Sequence, residues 1–351
     1  MISIPGYKQL QPIAQGLRCL VYSGRRDKDG KKVILRQLRP EIATPQLISR
    51  HQREFELLAQ IQSDQVIKPI ELINDDSATI LVTELAPGKP LISFIQQADL
   101  TILESAKIAC LIAMALDDIH RANIVHRDIN PANIIYDAEN SEIKLFDFGI
   151  STYASQGQFK SRANTAIEGT LSYLSPEQTG RMNRSVDFRS DFYSLGVILY
   201  QLITGLLPFN GEDDLDLIYQ HLTRTPQPPE DINPTVPKAL SKITSKLLSK
   251  MPEDRYQSAF AITADLNRFL TLFDNNPGTE LDFDIALDDI SEQLNMSEHL
   301  LERDTHLAHL LKMLDRISNG ESGSLICIGD AGTGKSVLIR EIEKEVIKKG
   351  G

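Results

Sequence analysis

Three short stretches hold residue types suited to phosphate chemistry. "HRDINPAN" (126–133) and "DFG" (147–149) supply two carboxylates, Asp128 and Asp147, and the amide of Asn133. Carboxylate and amide oxygens are hard donors of the kind that hold magnesium. A carboxylate within reach of a hydroxyl can also accept its proton. Gly149 lets the chain turn directly after Asp147. Much later, "GDAGTGKS" (329–336) fits G-x-x-x-x-G-K-[ST] at Gly329, Gly334, Lys335 and Ser336. It follows the strand-like "SLICI" and opens the helical "VLIREIEKEV". Backbone amides there would cradle phosphate oxygens, Lys335 would reach the outer phosphates, and Ser336 would bind magnesium. Taken singly, each feature has a plainer reading. Asp128 and Asp147 fit loop or capping carboxylates, His126 a packed structural histidine, and the glycine-rich stretch a simple turn.

Such groups need a frame. Val21–Arg26 and Val33–Leu38 read as strands around the tight turn "DKDGKK". A helix is predicted from Pro45 to Ile61, with Pro45 suited to its first position and Phe55, Leu58 and Ile61 spaced for one buried face. "VIKPIELI" and "ATILVTEL" read as further strands. From Leu103 onward helices dominate. "ESAKIACLIAMALDDIHRA" is amphipathic, and "SDFYSLGVILYQLITG" is apolar nearly all round, which predicts a fully buried helix. Helical patterns resume at Lys238–Leu248 and Ser258–Leu272. The pattern is a small β-rich lobe followed by a larger helical one. After Phe273, "DNNPGTELDFDIALDD" mixes turn and acidic residues and reads as a linker. "HLLERDTHLAHLLKMLDRI" is again helical.

The chain has 351 residues, which predicts two or three domains. Its net charge of -11 disfavours nonspecific nucleic-acid binding. Cys19, Cys110 and Cys327 are scattered without metal-like spacing, so a reducing compartment and no disulfide framework are expected. "MISIPGYKQL" lacks a signal-peptide pattern, and no apolar run reaches the roughly 20 residues of a membrane span. The expectation is a cytoplasmic protein with neither nucleic-acid nor membrane partners.

"HRDINPAN", "DFG", "SPE" (175–177) and "DFYSLG" (191–196) occur in one order. In that order, the region from about Tyr7 to Leu272 resembles eukaryotic-type Ser/Thr protein kinases. "HRDINPANI", "SPEQTGRMNRSVDFRSDFYSLG" and "TGLLPF" together are similar to the kinase module of large bacterial signalling proteins. Those proteins fuse a Ser/Thr kinase, an AAA-type ATPase, a GAF domain and a histidine kinase. The resemblance implies an α+β bilobal kinase fold at 1–272, with an N-lobe to about residue 85 and a C-lobe from about 86. It implies an acidic linker at 273–297 and the incomplete start of an AAA-type P-loop α/β domain at 298–351. One strand and one helix cannot complete a nucleotide-binding sheet, so that fragment is not expected to hydrolyse ATP. Further C-terminal domains would follow in the full-length protein.

The resemblance also assigns roles. Asp128 would take the proton of a protein hydroxyl, and Asn133 and Asp147 would hold magnesium on ATP. Arg127 would pair with an activation-segment phosphate, and Glu177 with Arg255. Asp191 would hold the catalytic-loop backbone, and Phe148 and Leu58 would align the lobes. Val21, Ile34, Thr83, Glu84, Ala86 and Ile135 would line the nucleotide site. The activation segment, Ile150 to Leu174, offers Ser151, Thr152, Ser161, Thr165 and Thr170, and Thr170 would contact Asp128.

Three departures stand out. The glycine-rich loop has Ala14, Gly16 and Cys19 at its three glycine positions. Arg36 takes the place of the phosphate-contacting lysine, with Glu54 as its helix partner; it keeps the charge but not the shape. Read on its own, Arg36 is a solvated strand-end charge. Asn130 replaces a lysine, although an asparagine after "HRDI" is usual in the fusion family. The expected function is a Ser/Thr kinase slowed by Arg36. The alternative is a nucleotide-binding pseudokinase acting as a docking module of a larger sensor protein.

Overall fold

The computed structural model describes residues 4–16, 18–74, 78–97, 100–154, 169–182, 184–275, 280–289, 304–318 and 346. The small lobe is a five-stranded antiparallel sheet in the order β1-β2-β3-β5-β4. Its strands are β1 (Tyr7–Gln15), β2 (Cys19–Arg26), β3 (Lys32–Leu38), β4 (Pro69–Asn74) and β5 (Thr79–Glu84), with helix α1 (Pro45–Gln60) between β3 and β4. Gly30 closes the β2–β3 turn at φ 70°, where Asp29 accepts the Lys31 N–H. Side chains alternate across the sheet. Tyr22, Val33, Leu35, Ile80 and Val82 fill one core. On the other face Val21 pairs with Arg36, and Ile34 with Thr83.

Three local expectations needed revision. Strand β1 was not anticipated; it is a largely exposed edge strand with Pro12 and two register shifts, so its alternation is weak. "VIKPIELI" is not one strand. Val66 and Ile67 leave the small sheet, and the Ile67 N–H donates to Leu145 O (2.9 Å), joining the larger core. The deeply buried face of α1 is His51, Glu54, Leu57 and Leu58, whereas Phe55 and Ile61 are half-buried. Thr44 caps that helix by accepting the Leu47 N–H.

The large lobe runs β6 (Lys89–Pro90), α2 (Leu91–Gln97), α3 (Ile102–Arg121), β7 (Ile124–Val125), β8 (Ile134–Asp137), β9 (Glu142–Leu145) and β10 (Thr152–Tyr153). It continues with α4 (Arg189–Thr204), α5 (Asp214–Thr223), α6 (Pro229–Ile232), α7 (Lys238–Leu247) and α8 (Ala259–Asn275). Thr101 and Glu104 form a capping box at the start of α3. Helix α4 is buried almost throughout, as its all-round apolar sequence predicts. At Gly196 an added Cβ would sit 2.7 Å from the Leu247 Cβ, so the missing side chain lets α4 and α7 approach. One apolar cluster joins α3, α4, α7 and α8 to Leu57, Leu58 and Phe148, tying α1 to the large lobe. The fold is the α+β bilobal arrangement.

Residues 280–289 depart from the plain linker expected after Phe273. Leu281 is buried, and its carbonyl accepts the Ala239 N–H (2.9 Å). The Arg268 guanidinium lies 4.4 Å over the Phe283 ring, and Asp265 accepts the Ala286 N–H (2.7 Å). Asp289 accepts the Gln257 N–H (2.8 Å), while Lys238 and Lys242 pair with Glu280 and Asp282. Acidic residues alternate with apolar ones in "LDFDI", so the stretch straps α7 and α8 despite its charge. Helix α9 (Asp304–Ser318) follows.

Candidate active site

The loop between β7 and β8 forms the floor of the cleft. Its backbone is held from below by Asp191, which is fully buried. That carboxylate accepts the N–H of His126 (2.9 Å), the N–H of Arg127 (2.8 Å) and the His120 Nε2 (2.9 Å). His126 accepts the Asp128 N–H at Nδ1, so its Nε2–H donates to Phe146 O (3.2 Å). It is a packed ring, T-stacked on Phe148 at 4.5 Å. Arg127 adopts φ 70° and Asp147 φ 66°, left-handed conformations that cost non-glycine residues energy and tend to cluster at functional sites.

The Asp128 carboxylate is bonded on both oxygens. Oδ1 accepts from Asn130 Nδ2 (3.0 Å), the Thr170 N–H (3.0 Å) and the Thr170 hydroxyl (3.1 Å). Oδ2 accepts from Asn133 Nδ2 (3.1 Å). Asn130 also donates to Thr170 Oγ1 (3.1 Å), and its own oxygen accepts the Ala132 N–H (2.9 Å). Asn130 thus joins the loop to the activation segment 40 residues away. Ser151 donates to His126 O (3.0 Å), and Thr152 opens β10. Ser161 and Thr165 lie outside the described residues.

Above this floor, Arg36 reaches from β3 to two carboxylates. Nη2 pairs with Glu54, and Nη1 lies 3.3 Å from Asp147 Oδ1. Glu54 also accepts the Phe148 N–H (3.1 Å), so α1, β3 and the DFG turn meet at one carboxylate. Arg50 donates to Gly149 O. Burial opposes the Arg36 charge, but Glu54 and Asp147 outweigh it and keep the guanidinium cationic. Burial would likewise raise the Asp147 carboxyl, and neighbouring Arg36 overcomes that and holds it below the usual range. The Asn133 amide nitrogen donates to the Asp128 carbonyl (3.0 Å) and to Oδ2 (3.1 Å), so of its side-chain atoms only the oxygen could serve as a ligand. The Phe146 N–H donates to Asn133 O (3.1 Å), fixing Asp147 next to the floor. An ionised carboxylate and an amide oxygen are hard donors of the kind that fit magnesium.

The remaining predicted residues fall into two groups. Val21, Ile34 and Thr83 share the sheet face of Arg36; Ala86 and Ile135 are half-buried. Glu84 has its carboxylate engaged by the Lys68 N–H and Lys144 Nζ (both 3.1 Å). Ala14 and Gly16 are exposed, and the Gly16 N–H donates to Cys19 O (2.9 Å) to close the β1–β2 turn. Glu177 and Arg255 meet in a fully buried fork at 2.7 and 2.8 Å, and Ser190 donates to Glu177 (2.6 Å). Burial would raise the Glu177 carboxyl; Arg255 overrides it and lowers it. Gly329, Gly334, Lys335 and Ser336 lie outside the described residues.

Sequence reasoning missed His120, His51 and Gln178. Gln178 Nε2 donates to Arg127 O (2.7 Å). Its signal was available, since "SPEQ" is a capping box. The two histidines have no comparable local signature.

Comparison with known proteins agrees with this geometry. The description "Protein kinase domain" matches residues 7–265, and "AAA ATPase domain" matches residues 299–351. A probable serine/threonine-protein kinase of Clostridium perfringens is 31% identical over 264 residues, covering 75% of this chain and 38% of the relative. One from Streptomyces coelicolor is 32% identical over 272 residues (76% and 40%), and one from Corynebacterium glutamicum 31% over 249 (68% and 38%). The chain belongs to the protein kinase domain family. It spans 38–40% of the length of these relatives. No described helix is long and apolar enough to cross a membrane.

Proposed function

We propose that the chain is a serine/threonine protein kinase that moves the γ-phosphate of ATP to protein hydroxyls in bacterial signalling. The observation behind this reading is the Asp128 carboxylate, bonded at once by Asn133, Asn130 and Thr170. In active use an acceptor hydroxyl would take the place of the Thr170 hydroxyl at Oδ1. Asp128 then orients that hydroxyl and takes its proton as the oxygen bonds to phosphorus and ADP leaves. Asp147 and Asn133 would hold magnesium, which when bound neutralises phosphate charge. Arg36 would hold the inner phosphates, Val21, Ile34, Thr83, Ala86 and Ile135 the nucleoside, and Arg127 an activation-segment phosphate. A kinase domain at 1–272 followed by the strap, and an ATPase domain begun at 298–351, fit a cytoplasmic protein with further domains.

The docking-only alternative gains no support. The relatives are named as kinases, and Asp128, Asn133 and Asp147 are all present in the chain. A radiolabel transfer assay with magnesium-ATP and a generic protein acceptor tests the reading. Phosphoserine or phosphothreonine is expected from the parent, and Asp128→Asn should lose about 100-fold or more while still binding nucleotide. Equal incorporation by parent and Asp128→Asn would remove the assignment.

A further inference from the structure

We propose that Cys19 and His51 form a thiol–imidazole latch that ties the β1–β2 hairpin to the helix holding Glu54. Cys19 opens β2 at the third position of the eroded glycine loop. Its Sγ lies 3.4 Å from His51 Nε2 on α1. The hydrogen-bond directions agree with one another. His51 Nδ1 faces Leu47 O at 3.3 Å, and a carbonyl only accepts, so the ring proton sits on Nδ1 and Nε2 is the acceptor. Burial, and then the Arg36 charge, lower the His51 pKa and keep the ring neutral. Burial raises the Cys19 thiol and keeps it a donor.

The latch sits where two functional elements meet. His51 precedes Glu54 by three residues, so both share the buried face of α1. Glu54 holds Arg36 and the Phe148 N–H. Cys19 closes the hairpin turn through its own carbonyl, which accepts the Gly16 N–H. One side-chain contact therefore links the hairpin over the cleft to the carboxylate that aims Arg36. Glycine at position 19 could not make this contact. The cysteine gives up backbone freedom and turns a flexible loop into a tethered one. His51 acts here as a positioning residue, and its effect on nucleotide rests on the kinase reading above.

The test compares Cys19→Ala, Cys19→Ser, His51→Ala, His51→Gln and the double alanine in the full chain. Two quantities are read: amide hydrogen exchange of residues 7–26 without nucleotide, and magnesium-ATP affinity by calorimetry. Either single alanine should speed exchange in the hairpin and weaken nucleotide binding by about 3- to 10-fold, as befits one weak S–H bond. The double alanine should be no worse than the worse single, because both remove the same contact. Cys19→Ser and His51→Gln should restore most of the protection. Additive losses, unchanged hairpin exchange, or loosening spread over the whole chain would each overturn the latch. Local loosening in a parent that binds no nucleotide would sustain the latch and remove the nucleotide-site reading instead.

Discussion

Arg255 in the large lobe and Arg36 in the small lobe both sit on carboxylates, and they are satisfied very differently. Arg255 sends Nε to Ser249 O, Nη1 to Glu177 and Arg189 O, and Nη2 to Glu177 and Lys250 O. Every N–H has an acceptor, and the side chain is fully buried. Arg36 divides its fork between Glu54 and Asp147, and its buried Nε has no partner among the described residues. Its side chain is 17% exposed and that of Asp147 is 44% exposed. A closed ion pair suits a permanent brace, because breaking it strands a buried charge. An open one suits a site whose carboxylate must exchange partners. The floor around Asp128 resembles the brace in its saturation. The roof, with Ala14, Cys19 and Arg36, resembles the open pair.

The largest expected effect is on the brace. Glu177→Ala should lower unfolding free energy by about 3–5 kcal/mol, read by urea denaturation, because Arg255 is left charged and buried. Arg36→Ala should cost clearly less, since Glu54 keeps the Phe148 N–H and Asp147 reaches solvent. Equal losses would break the contrast between the two arginines.

A smaller effect is expected at the strap, which extends the saturated lobe. Ending the chain at residue 297 should leave the melting temperature close to that of the full chain. Ending it at residue 279 removes buried Leu281 and the Asp289 contact to Gln257. That should cost about 2 kcal/mol, or roughly 4–8 °C. Identical melting of the two truncations would show that the strap adds nothing to the lobe.

The smallest effect sharpens the contrast at the chemistry itself. Arg36→Lys should raise transfer about 10-fold, roughly 1.4 kcal/mol of barrier, because an ammonium places charge where a guanidinium fork is too large. Asn130→Lys should give no gain. The Asn130 amide already donates to Asp128 and Thr170 and accepts from Ala132, and a lysine has no acceptor for that last bond. Paired rates at saturating magnesium-ATP decide it, and a flat response to Arg36→Lys would make the arginine a working substitute.

Local chemistry was legible in the chain. Pro45 at the first position of α1 and the all-round apolar run of α4 announce their helices, because first-turn preferences and periodicity act between neighbours. The ordered motifs named the floor residues and the Glu177–Arg255 brace. Edge strand β1 was hidden because an exposed strand needs little apolar alternation, and the strap was hidden by its acidic residues. Other long-range partners were decided by tertiary structure alone. Arg36 meets Asp147 across 111 residues, Asn130 meets Thr170 across 40, and Cys19 meets His51 across 32. None of these pairings leaves a local mark, since a polar side chain finds its partner only after apolar packing has brought distant elements together.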